Sequence, residues 1–409
     1  MKVNKYMPFV LIYFFLNSVF LPFGLTYTSL LAPFFYVWML LTRKRDVVLP
    51  FLILLLPFIF VHLFFIGVDR ESYFISLLNL LAVYISCQAI YTFFKVYPDP
   101  EKIFRNILVI NFVLCLGAVV IFFTPWYETL WIQQNYTQGV REFKRLKLFT
   151  YEASYYATLF TPLFFFFFLQ YLFRQNKIKS GWLLIMLFVP FLLSFSIGVI
   201  GSVLAASIIT WVIYFRKLTV KKRILNWIIS SAATIGAAFF VIVLFFRHNP
   251  VFTRIGNIFS GEDLSAKGRT VDAFRIAGKL LEQKDKFWGI GLGQIKIIGA
   301  DIIREYYLYP PEYRIAIPNT VAETLAMFGW IGIFCRFGIE IFLFFHTKVW
   351  SNYFRLLLFL FVFIFQFAGS FTTNIAEYVI WILAFTNVFP QFDVKAGETE
   401  LKRMPAIAG

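Results

Sequence analysis

Apolar runs long enough to cross a bilayer alternate with short polar breaks along nearly the whole chain. A spanning helix needs about 20 apolar residues, and on that measure the pattern predicts about 12 helices. The first six fall near 7–23, 25–42, 47–67, 73–94, 107–124 and 155–173. The run 181–215 is too long for one helix. Ser194, Ser196, Gly198 and Gly201 near its centre predict a tight hairpin, which makes helices seven and eight. The ninth covers 224–246, and the last three cover 321–345, 355–370 and 377–390. Two long polar stretches interrupt the pattern, 125–154 and 247–320. Structureless loops beyond about 15 residues are uncommon in compact proteins and usually functional.

The charges orient this ladder. With Lys2 and Lys5 on the cytoplasmic side, the loops Arg43 to Arg45, Lys95 to Arg105, Arg174 to Lys179, Arg216 to Arg223 and Lys348 to Arg355 all fall on that same side. The positive-inside rule then predicts cytoplasmic termini, with 391–409 as a cytoplasmic tail. Both long polar stretches fall together on the outer side. The expectation is an all-α polytopic membrane protein, one integral membrane domain over 1–409, with its large outer loop between helices nine and ten.

Composition agrees. Hydrophobic residues make up 60% and charged residues 15%, where a soluble domain is nearer half and a quarter. The net charge of +16 would suggest nucleic acid in a soluble protein. Here much of the excess sits in short loops, so nucleic-acid binding is not expected. The 56 Phe suit a lipid-facing surface. Cys87, Cys115 and Cys335 lie in apolar stretches without a CxxC pair and read as buried, inert thiols. His62, His248 and His346 are scattered, without metal-ligand spacing, so neither a metal nor a cofactor is expected. No cleavable leader is evident. The chain has no visible duplicated half and few ionisable residues inside spans, which counts against a coupled carrier.

Four constellations carry candidate chemistry. The segment Gly268 to Lys284 reads as a helix inside the outer loop. Val271, Phe274, Ala277, Gly278 and Leu281 fall on one face, and Arg269, Asp272, Arg275, Lys279 and Glu282 on the other. It is either an amphipathic helix on the membrane surface or a support from which Arg269 and Arg275 grip phosphate oxygens, which suits the bidentate guanidinium group. The glycine run Trp288-Gly289-Ile290-Gly291-Leu292-Gly293 lacks the βαβ setting of a dinucleotide fingerprint and reads as a turn allowing close backbone approach. Asn319 and Glu323 open helix ten, ahead of Gly329 and Gly332; they either cap the helix or contact a sugar. Arg141, Lys144, Arg145 and Lys147 precede helix six. Glu152 at its start is either an N-terminal helix charge or a general base.

Together these elements resemble the bacterial O-antigen polymerase and O-antigen ligase superfamily (Wzy and WaaL types). The resemblance rests on about 12 helices, the late outer loop and two motifs. Gly268-Arg269 leads through an amphipathic helix to Gly289-Ile290-Gly291-Leu292-Gly293. Pro318-Asn319 to Glu323 is followed by Gly329 to Gly332. Tyr151-Glu152-Ala153-Ser154 is similar to the Glu-Pro-Ser-type signature of the polymerase branch. The ligase branch carries His where this chain has Pro318, which favours polymerase. Family members often carry Ser-Arg at the hairpin where this chain reads Ser196-Ile197.

The resemblance implies a GT-C-like, inverting, metal-independent glycosyltransferase of the bacterial inner membrane. Its substrates would be glycans on undecaprenyl diphosphate at the periplasmic face, with membrane lipids and a chain-length regulator protein as further partners. The implied catalytic residues are Glu152 and Arg269. The implied substrate-binding residues are Arg145, Arg275, Arg314, Asn319 and Glu323. Transfer of finished glycan to lipid A-core, as in a ligase, and a lipid-linked oligosaccharide flippase or other transporter are the alternatives.

Overall fold

The computed structural model describes residues 10–16, 18, 27–43, 48–97, 99–134, 143–173, 180–214, 256–257, 260–261, 263–307 and 315–394. The predicted ninth helix, most of the first, the start of the large loop, the tail beyond 394 and Arg314 lie outside the described residues. Helix dominates what is described. A π-helical turn, Ile12–Leu16, comes first, followed by α1 (Tyr27–Arg43), α2 (Val48–Val61, with a π-helical end at His62–Ile66), α3 (Arg70–Val96) and α4 (Pro100–Ile121). The strands β1 (Trp131–Gln134) and β2 (Phe143–Leu146) pair antiparallel, with Ile132 opposite Arg145. This small hairpin is a departure from the all-α expectation. Next come α5 (Ala153–Leu172), α6 (Ser180–Ser194), α7 (Ile197–Tyr214), α8 (Leu264–Arg269), α9 (Val271–Glu282) and α10 (Gly299–Tyr307). The last three are α11 (Thr320–His346), α12 (Tyr353–Phe365) and α13 (Ile375–Phe385).

Among the described residues, six helices are long and apolar enough to cross a membrane: α2 with its π-helical end, α3, α4, α5, α7 and α11. Several helices begin at a capping side chain. A side-chain oxygen accepts a backbone N–H that the first turn leaves orphaned. Asp69 does this for Ser72 at α3, Asp99 for Lys102 at α4, Asn319 for Ala322 at α11, Asn352 for Arg355 at α12 and Asn374 for Ala376 at α13. The long apolar run breaks at Phe195-Ser196, with Phe195 at φ +44°.

Outward-facing Phe34, Leu41, Phe64, Phe65, Val120 and Phe334 form an apolar exterior of the kind hydrocarbon accepts and water does not. The phenylalanine run of α5 does not join it. Phe164 to Phe167 are buried, and Phe166 lies against Phe104, Phe389 and Phe392. α5 is buried along nearly its whole length, so its aromatic rings fill the protein core and do not face lipid. Cys87 and Cys115 are buried as expected, whereas Cys335 faces outward.

The segment expected to form the large loop is also rearranged. The single helix expected over Gly268 to Lys284 breaks at Thr270 into α8 and α9. α9 buries Asp272, Ala273, Ile276, Ala277, Leu280 and Leu281, while Val271 is exposed. The inward face is turned from the expected one because α9 packs on α10 and α11, and buried Asp272 accepts from Tyr306 Oη (2.8 Å).

One backbone exchange fixes this segment. Gly329 takes φ +65°, ψ −163° inside α11 and kinks it. The helical bonds Trp330 N–H to Ala326 and Ile331 N–H to Met327 are then replaced. Trp330 and Ile331 donate to the carbonyls of Lys286 and Phe287 (both 3.1 Å), and Ala326 and Met327 accept from Ile290 and Gly291 (2.9 and 3.0 Å). Gly289, Gly291 and Gly293 all have positive φ. A Cβ on Gly289 would lie 2.5 Å from the Met327 carbonyl carbon, and one on Gly329 2.2 Å from the Phe287 oxygen. From the other side, His62 Nε2 donates to the Trp288 carbonyl (2.7 Å), and Gln294 pairs with the Asp69 backbone through both its amide atoms (3.0 and 3.1 Å).

Gly329→Ala therefore forces apart two backbones. It is expected to cost more than about 2 kcal/mol, read as a lower unfolding midpoint in detergent or failure to accumulate. Gly117→Ala, whose Cβ meets nothing within 4 Å, is the control and leaves the midpoint unchanged or raised.

Candidate functional site

The two sequence motifs meet at Asn319. This fully buried residue caps α11 through Oδ1, and its Nδ2 donates to the carbonyls of Arg269 (2.7 Å) and Phe367 (2.8 Å). Its amide is therefore committed within the protein, and its part in the site is to hold Arg269 in place. Gly268 is fixed beside it by Tyr307, whose hydroxyl donates to the Gly268 carbonyl (3.2 Å).

Arg269 Nη2 reaches Glu152 Oε1 at 3.0 Å. Glu152 stands at the N-terminal end of α5, extended in backbone and without a capping bond of its own. Burial pushes its carboxyl pKa up. Arg269, a hydrogen bond from Ser154 and the Arg145 guanidinium outweigh that and hold it below the usual glutamate range. Arg145 projects from β2, is buried, and donates from Nε to the Ser194 carbonyl at the end of α6 (3.0 Å). A cation at a helix C-terminus is favoured by the helix dipole. Glu152 thus interacts with guanidinium groups from two segments that are far apart in sequence.

This pair lines a cleft with about 370 Å³ of space, partly open to solvent. Tyr151, Tyr155, Phe365 and Phe371 supply its aromatic surface, and Ser154, Thr158, Ser370 and Asn374 its neutral polar groups. Pro318 completes the wall. No protein-family model matches the chain, and no curated protein matches its sequence. Aromatic faces beside hydroxyls and one salt-bridged guanidinium can take a sugar ring and a neighbouring anionic group together. A larger cavity, about 520 Å³, is lined by apolar side chains and Tyr13 and offers no comparable chemistry.

The other expected residues lie elsewhere. Arg275 is largely exposed, pairs with Asp272 at 3.7 Å, and is not in the cavity wall. The break at Thr270 separates it from Arg269. Glu323 stands one turn into α11, where Oε2 accepts from Thr372 N–H (2.6 Å). It braces the connection between α12 and α13.

Two features escaped the sequence reading. Ser370, Phe371 and Asn374 enter the wall from a short connection between apolar helices. Beneath them lies an ionic cluster inside the apolar helices. Arg336 pairs with Glu340 (3.0 Å) and Glu377 (2.7 Å), with Gln366 between Arg336 and Glu340 and with Thr320 donating to Glu377. Arg336 and Glu340 sit four apart in one apolar helix, and ionisable groups in such a setting are themselves a signal.

Asn319→Ala removes a cap and two donors to buried carbonyls. It is expected to cost about 2–4 kcal/mol, measured as the shift in unfolding midpoint. Asn319→Asp restores the cap alone and is expected to recover only part of that loss. Full recovery by Asp would mean that the Arg269 clamp contributes nothing.

Proposed function

We propose that the protein is a polysaccharide polymerase of the O-antigen type, joining repeat units carried on undecaprenyl diphosphate at the periplasmic face of the bacterial inner membrane. The observation that carries this reading is the Arg269–Glu152 pair in the wall of an aromatic, hydroxyl-lined cavity at the end of a spanning helix.

An acceptor hydroxyl attacks the anomeric carbon of the donor, the bond to the lipid diphosphate breaks, and configuration inverts. The leaving diphosphate takes the bonding electrons and needs compensating charge. Arg269 supplies it, with Arg145 assisting, so the transfer needs no metal. Arg145 bonds to Ser194, two residues before Ser196-Ile197, where family members carry Ser-Arg. In this reading its guanidinium stands in for the missing one.

Glu152 takes the acceptor proton. Arg269 keeps this carboxylate a weak base. A bound diphosphate competes for Arg269, and a buried carboxylate that loses its counter-charge gains proton affinity. Substrate binding thereby strengthens the base at the moment it is used. Pro318 in the cavity wall, where the ligase branch carries His, favours polymerisation over transfer to lipid A-core. The proposed topology has about 12 spans, cytoplasmic termini and an outer loop over 247–320.

Arg269→Ala is expected to abolish chain elongation in cells while protein level stays intact. Glycan length resolved on a gel, beside an immunoblot of the membrane fraction, checks it. Retained full-length polymer in that variant would sink the assignment.

A further inference from the structure

Segment 369–374 contributes Ser370, Phe371 and Asn374 to the cavity and runs beside Arg269. A Cβ on Gly369 would lie 3.8 Å from Arg269 Nη1. Ser370 has φ +77°, a conformation that glycine adopts freely and L side chains rarely do. Outliers of this kind persist only where the surroundings over-determine them, and here they do. Thr372 is held at both ends, its N–H by Glu323 Oε2 (2.6 Å) and its carbonyl by the Tyr378 hydroxyl (2.8 Å). Asn374 Nδ2 donates to Ser370 Oγ (2.7 Å) while its Oδ1 caps α13.

The strained backbone delivers one thing that glycine would not, a half-buried hydroxyl in the cavity wall. A serine hydroxyl has one donor and two acceptor positions. Asn374 uses one acceptor, and among the described residues nothing accepts the Ser370 proton. Phe371 sets an aromatic surface nearby. An uncharged wall of hydroxyl and ring suits a sugar, while the Arg269 guanidinium suits a diphosphate.

We infer that segment 369–374 reads the sugar next to the diphosphate, with Ser370 as its hydrogen-bonding residue. Glu323 is a positioning residue that acts through Thr372. This rests on the lipid-linked glycan reading above.

Two probes separate the roles: undecaprenyl diphosphate alone, and lipid-linked repeat units extracted from the source cells. Equilibrium binding of both is measured to the full chain in nanodiscs. Wild-type protein binds both and prefers the glycan-bearing lipid. Ser370→Gly keeps the backbone conformation, so it folds; it lowers the preference about tenfold and leaves undecaprenyl diphosphate binding unchanged. Glu323→Leu does the same, and Glu323→Gln, which keeps an acceptor oxygen, restores the preference. Arg269→Ala weakens both probes. If Ser370→Gly binds both probes as wild type does, or weakens both equally, the inference is overturned while the polymerase reading stands. If wild-type protein binds neither probe, the lipid-diphosphate reading fails and this inference falls with it.

Discussion

A broken helix inside an apolar environment strands backbone groups that cost several kcal/mol each when unpaired. The kink of α11 at Gly329 opens four such groups, and the turn around Gly289 satisfies all four. This exchange is the constraint on which the packing of segment 264–307 against α11 depends. It requires glycine on both sides, because either Cβ would overlap the opposing backbone. It also joins a loop distant in sequence to a spanning helix without any side-chain chemistry. His62, Asp69 and Ser72 add a second set of bonds from the α2–α3 corner, so the turn is held from two sides.

From that anchor the site is assembled by short links. α9 packs on α11, Asn319 at the start of α11 holds the Arg269 carbonyl, and Arg269 reaches Glu152 at the start of α5. Below, the Arg336 cluster joins α11 to α13. Buried ion pairs of this kind add little net stability, but removing one partner leaves an uncompensated buried charge. The cluster thereby sets the relative position of two helices whose N-terminal ends carry Glu323 and Asn374. Strain at Ser370 is tolerated because this framework leaves the connection little freedom.

Much of the helical pattern was legible because apolar runs report helices directly. Only six of the described helices are long enough to cross a membrane, however, and α6, α12 and α13 are shorter than the spans expected there. Asn319 was legible as a cap, whereas Asp69 and Asp99 begin α3 and α4 earlier than the expected starts at 73 and 107. The glycine run was legible as a close-approach turn, since three glycines at alternate positions point to backbone geometry. What the turn approaches was not legible, because the partner carbonyls belong to residues with ordinary helical sequence. The face of α9 was misjudged because Asp272 counts as surface by chemistry yet is buried under Tyr306. Arg275 was grouped with Arg269 on one continuous helix, and the break at Thr270 undoes that grouping. The wall formed by Ser370 and Asn374 was hidden for another reason: a six-residue polar connection reads as a turn until the cavity beside it is seen.

The central claim is that arginine-held diphosphate chemistry in this cavity builds a glycan chain. The most direct measurement uses purified protein in proteoliposomes with lipid-linked repeat units and a metal chelator, with products resolved by length. The account predicts a ladder of lengths that persists in chelator. A protein that binds undecaprenyl diphosphate yet yields only unreacted repeat unit, with or without metal, would contradict it.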